Sequence, residues 1–145
     1  MIWNTIPDDE RLRLWKSLRN DIAPIPLYDK LAEVAKFCSQ IPFGSRTVDY
    51  YTPADWPTPW EILYHGMFCT SSISILMAYS VILASPEVKV ELYLVEDDED
   101  IYLLPVFEDH FVLNYELGKV STYPELEGKF KVVKKYTREE IKNIA

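Results

Sequence analysis

The sequence has few of the residues that most often hold metals, cofactors or phosphates. Among its 145 residues there are 4 glycines, 2 cysteines and 2 histidines. Cys38 and Cys69 form no C-x-x-C pair, which gives no sign of a zinc site. No glycine-rich phosphate loop is present, and the acidic run 96–100 lacks the spacing of a calcium-binding EF-hand loop. We therefore expect no cofactor and no bound metal.

Long apolar runs, the residue pattern of a secretory leader and an excess of basic residues are also missing. The longest apolar-rich stretch, residues 73–84, is too short for a bilayer and is interrupted by Ser74 and Ser80. The first residues show no basic region followed by an apolar run, so we expect no signal peptide, no membrane and a cytoplasmic protein. The net charge of −8 disfavours nucleic acid as a partner, because phosphates are repelled.

The chain is rich instead in apolar and aromatic side chains. They make up 48% and 14% of the residues, which is typical of a folded core and not of a disordered segment. The 10 prolines favour fixed turns over flexible linkers. The length is that of one ordinary domain, so we expect residues 1–145 to form a single domain.

Hydrophobic periodicity predicts two N-terminal helices and a short third one. The first helix begins at Asp8 and ends before Pro24, and the second carries an apolar stripe over residues 27–41. Thr58 heads a capping box, with a proline at the next position and a glutamate three residues on. This pattern predicts the third helix, which should end at Gly66.

The second half of the chain changes to a period of two, which predicts strands. We expect strands over residues 88–95, 101–107, 111–116 and 129–136, the first of them buried on one face only. Pro105 indicates an edge or a bulge in the second strand. Four lysines alternate with apolar residues near the last strand and are interpreted as its solvated face. They are Lys129, Lys131, Lys134 and Lys135.

A central helix over residues 69–84 separates the helical half from the strands. It is apolar on nearly every side, which is typical of a buried helix, and the whole pattern predicts an α+β domain. Cys69 begins this helix, where the helix N-terminus lowers the pKa of a thiol. A nucleophilic cysteine also needs a histidine and an orienting group. Of the two histidines, His65 is interpreted as a surface residue and His110 lies on a later strand.

Residues 48–63, with Gly66 and Cys69, resemble the transglutaminase-like superfamily. That family has an aspartate followed by a W-x-x-P-x-E-apolar segment, which occurs here from Trp56 to Ile62. A Gly-x-x-Cys element, a histidine strand and an aspartate strand then follow in the family. The resemblance is closest to the bacterial transglutaminase-like cysteine proteinases. It implies a papain/transglutaminase-like fold in which N-terminal helices and the central helix pack on an antiparallel sheet.

One alignment with this family gives a cysteine hydrolase or acyltransferase. Cys69 would attack an amide carbonyl of a protein or peptide, and His110 would take and return the proton. Asn114, or else Asp109, would orient the imidazole. Backbone amides at the start of the central helix would hold the oxyanion.

A second alignment gives a site without catalysis. Here residues 111–114 match the aspartate strand, so that Asn114 takes the orienting place. The histidine position then falls near Tyr102 or Leu103, and His110 becomes a turn residue. The alternative for Cys69 is a buried cysteine where the helix meets the sheet.

The residues beside Cys69 also depart from the family, which has acidic residues before and after the cysteine. Phe68 precedes Cys69 here, and residues 70–72 are Thr-Ser-Ser. We therefore favour a non-catalytic binding or accessory module of prokaryotic or phage origin over the enzyme. Trp56 and Trp60 either belong to the core or line a cleft beside Cys69. The expected partner is a protein or peptide, and the oligomeric state stays open.

Overall fold

The computed structural model describes residues 3–42, 44, 48–65 and 69–142. Within them, five α-helices pack on a five-stranded antiparallel sheet, which confirms the α+β prediction. The sheet has the strand order β4-β3-β2-β1-β5. The helices are α1 (Asp8–Ile22), α2 (Leu27–Cys38), α3 (Pro59–His65), α4 (Thr70–Ala84) and α5 (Arg138–Lys142). The strands are β1 (Val90–Glu96), β2 (Ile101–Phe107), β3 (Phe111–Leu113), β4 (Val120–Thr122) and β5 (Lys131–Tyr136).

Helix α4 is the centre of the molecule, as its composition predicted. Every residue from Ser71 to Ile82 is buried, because α1, α2 and α3 cover one side of the helix and β1 and β2 the other. Polar side chains on α4 bond to its neighbours. Trp15 on α1 donates its indole N–H to Ser80 Oγ at 2.8 Å, which ties the two helices together in the core.

The capping box at the start of α3 is confirmed. The amide of Thr58 donates to Glu61 Oε1 and the amide of Glu61 donates to Thr58 Oγ1, both at 3.2 Å. Helix α3 is described as far as His65, and its predicted end at Gly66 lies outside the described residues.

Cations from other elements complete the C-terminal ends of three helices. Arg11 donates to the carbonyls of Leu63 and Tyr64 at 2.7 and 2.6 Å, at the end of α3. Lys30 donates to the last carbonyls of α1, and Arg138 donates to a carbonyl in the last turn of α4. Helix ends leave such carbonyls without a partner, and their partial negative charge favours a cation. Periodicity gave no sign that Arg11 and Lys30 would be buried.

Helix α2 ends at Cys38, three residues before the predicted end of its apolar stripe. The amides of Gln40 and Ile41 bond to carbonyls three residues back, so the helix tightens into a turn there. Ser39 donates its hydroxyl to the carbonyl of Lys36 at 2.7 Å and helps to end the helix. Ile41 is still buried in the core, so the stripe was right and the helix boundary was wrong.

The prediction that β1 is buried on one face only is wrong. Its residues Tyr93 and Val95 lie in a second apolar cluster on the far side of the sheet from α4. Strand β1 is therefore a central strand with both faces covered. Pro105 lies in β2, which pairs with β1 in continuous register, so there is no bulge; on the other side of β2, the pairing with β3 begins only at Val106, so Pro105 lies where that side has no strand partner.

Strand β3 is shorter than predicted, ending at Leu113 and not near residue 116. Asn114 has φ of 66°, in the left-handed region, so the chain leaves the sheet at this point. The pairing of β3 with β2 covers only Val106 and Phe107 on β2. The first part of β2 thus lacks a strand on the β3 side, which leaves space for the start of α4.

Candidate functional site

Cys69 is the N-cap residue of α4. Its extended backbone (φ −68°, ψ 164°) lets its carbonyl accept the amide of Ile73 at 3.2 Å. The side chain is half-buried, and its Sγ lies 3.4 Å from the buried Ser72 Oγ. No acidic residue occupies the first turn of α4. Cys69 therefore meets a helix N-terminus and a hydroxyl.

Two serines one turn apart on α4 bind the backbone of Leu103 on β2. The amide of Leu103 donates to Ser71 Oγ at 3.1 Å, and Ser74 Oγ donates to the carbonyl of Leu103 at 2.7 Å. Strand β3 stops too early to bond to this part of β2, so the serines take the place of a strand. This fixes the start of α4 against the part of β2 that has no strand partner on the β3 side.

Asn114 completes the same polar group. Its Nδ2 donates to the carbonyl of Thr70 at 2.9 Å and to Ser74 Oγ at 2.8 Å. The left-handed backbone of Asn114, which asparagine tolerates better than most residues, turns this side chain under the helix. The structure therefore brings Asn114 to the residue next to Cys69. We call Ser71, Ser74, Asn114 and the Leu103 backbone the polar bed of α4.

His110 lies in a different place, in the tight turn between β2 and β3. Its amide donates to the carbonyl of Phe107, its carbonyl accepts the amide of Tyr123, and its side chain is exposed. All of β3 separates it from Asn114, a distance of roughly 13 Å at the usual rise along a strand. The same turn is bonded to Lys89, which follows the C-terminal end of α4, whereas Cys69 stands at the N-terminal end.

Asp109, the other candidate for the orienting group, is already paired. Lys89 Nζ lies 2.9 Å from its carboxylate, and this hydrogen bond lowers the pKa of Asp109 below its usual value. Both partners are exposed, so the pair adds little to stability. Asp109 thus belongs to the turn that carries His110 and not to the polar bed.

Tyr102 and Leu103, the two positions open to a histidine in the second alignment, face opposite sides of the sheet. The ring of Tyr102 packs with the second apolar cluster, and its hydroxyl donates to Asp97 Oδ2 at 3.1 Å. Leu103 is 0% exposed and belongs to the cluster that surrounds α4. On the side of the sheet where Cys69 lies, this position therefore carries an aliphatic side chain.

Trp56 and Trp60 lie in different environments, one in the core and the other partly exposed. Trp56 is buried, donates its indole N–H to the carbonyl of Asp49 at 2.7 Å and packs edge-on against Tyr136. Trp60 is 43% exposed and packs edge-on against Trp15. Of the two, only Trp60 presents surface to solvent.

Cys38 is a small buried hydrophobic residue. It lies in the core with a free thiol, and burial raises the pKa of that thiol. Across the described ranges, no three His, Cys, Asp or Glu side chains are grouped to hold a metal ion. The helices of the described chain are also all too short or too polar to cross a bilayer.

Sequence reasoning missed the serines, and it named Asn114 for a different role, as the group that orients a histidine. In the sequence, Ser74 and Ser80 were interpreted only as interruptions of an apolar run. The signal was nevertheless present in Ser71 and Ser74. Buried serines need hydrogen-bond partners, and two serines three residues apart lie on the same face of a helix, so they predict a polar contact on that face. Arg11 gave no comparable signal, because its neighbours on α1 are ordinary surface charges.

Comparison with solved structures finds proteins of the same fold. The sequence matches no protein-family model and no curated protein. The structure superposes on calcium-bound LapG of Legionella pneumophila with a TM-score of 0.73 at 14% identity, over 93% of this chain and 78% of LapG. A second LapG structure gives a TM-score of 0.68 at 15% identity, over 90% and 74% of the two chains. The chain thus has the transglutaminase-like fold of LapG, and at such identity the likeness shows the fold alone.

Proposed function

We propose that this protein is a non-catalytic binding or accessory module that keeps a transglutaminase-like fold. The observation that carries the proposal is Leu103. It occupies, on the Cys69 side of the sheet, the strand position where the second alignment expects a histidine. A leucine has no proton to exchange, so this position supplies no general base to a thiol.

The polar bed supports the same conclusion. Asn114 uses its amide Nδ2 as a donor to the carbonyl of Thr70 and to Ser74 Oγ, and Ser74 in turn donates to the carbonyl of Leu103. The asparagine side chain is therefore fixed to the first turn of α4 and, through Ser74, to β2. These bonds stabilise the junction between helix and sheet. In the second alignment Asn114 occupies the position of the family's aspartate, and here that position stabilises the fold.

A cysteine hydrolase is the second candidate, and one observation favours it. Cys69 is half-buried and not fully buried, and it lies at the N-terminus of α4, where the family carries its cysteine. LapG itself is a transglutaminase-like cysteine protease. In both candidates the partner is a protein or peptide.

We expect the purified protein to cleave no peptide bond through Cys69. Fluorescently labelled casein, incubated with the wild-type chain and with Cys69→Ser, should release peptides at the same background rate. The physical reason is the missing base, which is worth about a hundredfold or more in rate. Release by the wild-type chain that disappears in Cys69→Ser would contradict the proposal and establish the hydrolase.

A further inference from the structure

Strand β5 is an open edge of the sheet. It pairs with β1 on one side only, and a bulge between Leu94 and Val95 of β1 shifts the register of the pair. No other residue in the described part of the chain hydrogen-bonds to the backbone of residues 131–136. Val133, at the bulge, is 40% exposed. An edge of this kind presents unpaired N–H and C=O groups that can bind a further strand.

The same edge carries positive charge on a protein whose net charge is −8. All four lysines at and beside β5 are exposed, and none lies within 4.0 Å of a carboxylate oxygen on any described residue. Lys134 lies over the ring of Tyr136 at 4.9 Å and Lys135 over that of Tyr93 at 4.7 Å. These contacts hold two cations along the strand. The four are Lys129, Lys131, Lys134 and Lys135, and we call them the β5 lysines.

A cleft of about 400 Å³ adjoins the first residue of β5. One wall is the acidic turn 96–98 and the other is the segment 128–131, with the half-buried ring of Phe130. The acidic wall repels a carboxylate, whereas Lys129 and Lys131 on the other wall attract one, so charges of both signs line this end of the edge. Farther along the strand, Lys134 and Lys135 carry positive charge.

We propose that the β5 edge binds an extended acidic segment of a partner protein as an additional strand. Backbone groups of β5 would pair with the segment, and the β5 lysines would face its carboxylates. A second copy of this chain fits less well, because antiparallel pairing of two β5 strands sets lysine against lysine. The surface is separate from Cys69, since β1 lies between β5 and the strand that faces α4 at Leu103. The proposal therefore holds whether or not Cys69 is reactive.

The test uses a peptide of about ten residues, the upper length of ordinary strands, in which glutamate alternates with valine or threonine. Titrated into the ¹⁵N-labelled full chain, it should shift the amide resonances of residues 131–136 and bind more weakly as salt is raised. Two matched peptides serve as controls. One has lysine in place of glutamate, and the other keeps glutamate but has N-methyl groups on alternate amides. Both should bind at least about tenfold more weakly. The lysine peptide lacks the charge opposite to that of the β5 lysines, and the N-methylated peptide lacks the N–H groups that pair with the backbone of β5.

Charge-reversal variants locate the surface on the protein. Lys131→Glu with Lys134→Glu should weaken binding of the acidic peptide about tenfold, whereas Lys16→Glu with Lys36→Glu should change it less than about twofold. Both pairs are exposed and change the net charge equally. Four results would each overturn the proposal: equal binding of the N-methylated peptide, shifts confined to other residues, tighter binding of a single-stranded oligonucleotide, or dimerisation of the chain through β5. None of them would bear on the casein assay.

Discussion

Replacement of Trp15 by alanine should lower the free energy of unfolding by about 4 kcal/mol. Trp15 is 0% exposed and is among the largest fully buried side chains described. Its loss opens a cavity between α1 and α4 that surrounding side chains fill only in part. Its bond to Ser80 is lost as well, although Ser80 still donates its hydroxyl to the carbonyl of Leu76. Urea denaturation followed by far-UV circular dichroism measures the change.

Two matched variants separate the causes. Trp15→Phe keeps most of the buried ring and loses the indole bond, so we expect a cost of about 1–2 kcal/mol. Trp60→Ala removes the other ring of the edge-on pair, but that ring is 43% exposed, and we expect about 1 kcal/mol. Equal destabilisation by Trp15→Ala and Trp60→Ala would show that the junction of α1 and α4 is not the centre of the core.

Replacement of Asn114 by alanine should cost about 3 kcal/mol. Part of this comes from the carbonyl of Thr70, which loses its side-chain donor, and from the lost contact with Ser74. The rest comes from the backbone, because alanine at φ of 66° is strained. The variant tests whether Asn114, at the position of the family's aspartate, stabilises the fold.

Asn114→Gly is the control for the backbone contribution. Glycine adopts positive φ without strain, so this variant loses only the hydrogen bonds and should cost about 1–2 kcal/mol. Alanine and glycine variants of equal stability would mean that Asn114 does not hold a left-handed conformation. A negligible cost for both would mean that the polar bed does not fix α4 on the sheet.

The sequence predicted most of the fold because local signals and burial agreed. The capping box at Thr58 and the apolar residues of α4 mark their elements without reference to the rest of the chain. Strand ends were harder to predict. The end of β3 depends on the backbone conformation of Asn114, and the burial of both faces of β1 depends on a second cluster formed by distant aromatic residues.

The candidate site was predicted in part, and the limit is physical. The family pattern identified Cys69 and Asn114, which the structure places beside the same turn of α4. It could not choose between Tyr102 and Leu103 or decide the place of His110. Adjacent residues on a strand face opposite sides of the sheet. An alignment that is uncertain by one residue therefore cannot tell whether a position faces α4, as Leu103 does, or faces the second cluster, as Tyr102 does. The register of β2 with its neighbours shows which residue faces α4.

The rate at which iodoacetamide alkylates Cys69 in the wild-type chain and in His110→Ala decides whether this histidine assists the thiol. Cys38 is buried, so mass spectrometry of the native protein should find the label on Cys69. We expect rates equal within about twofold at every pH from 6 to 9, because His110 does not assist the thiol. A rate near pH 7 that falls about tenfold or more in His110→Ala, with the fold retained, would rule out a non-catalytic Cys69 and assign His110 to the cysteine.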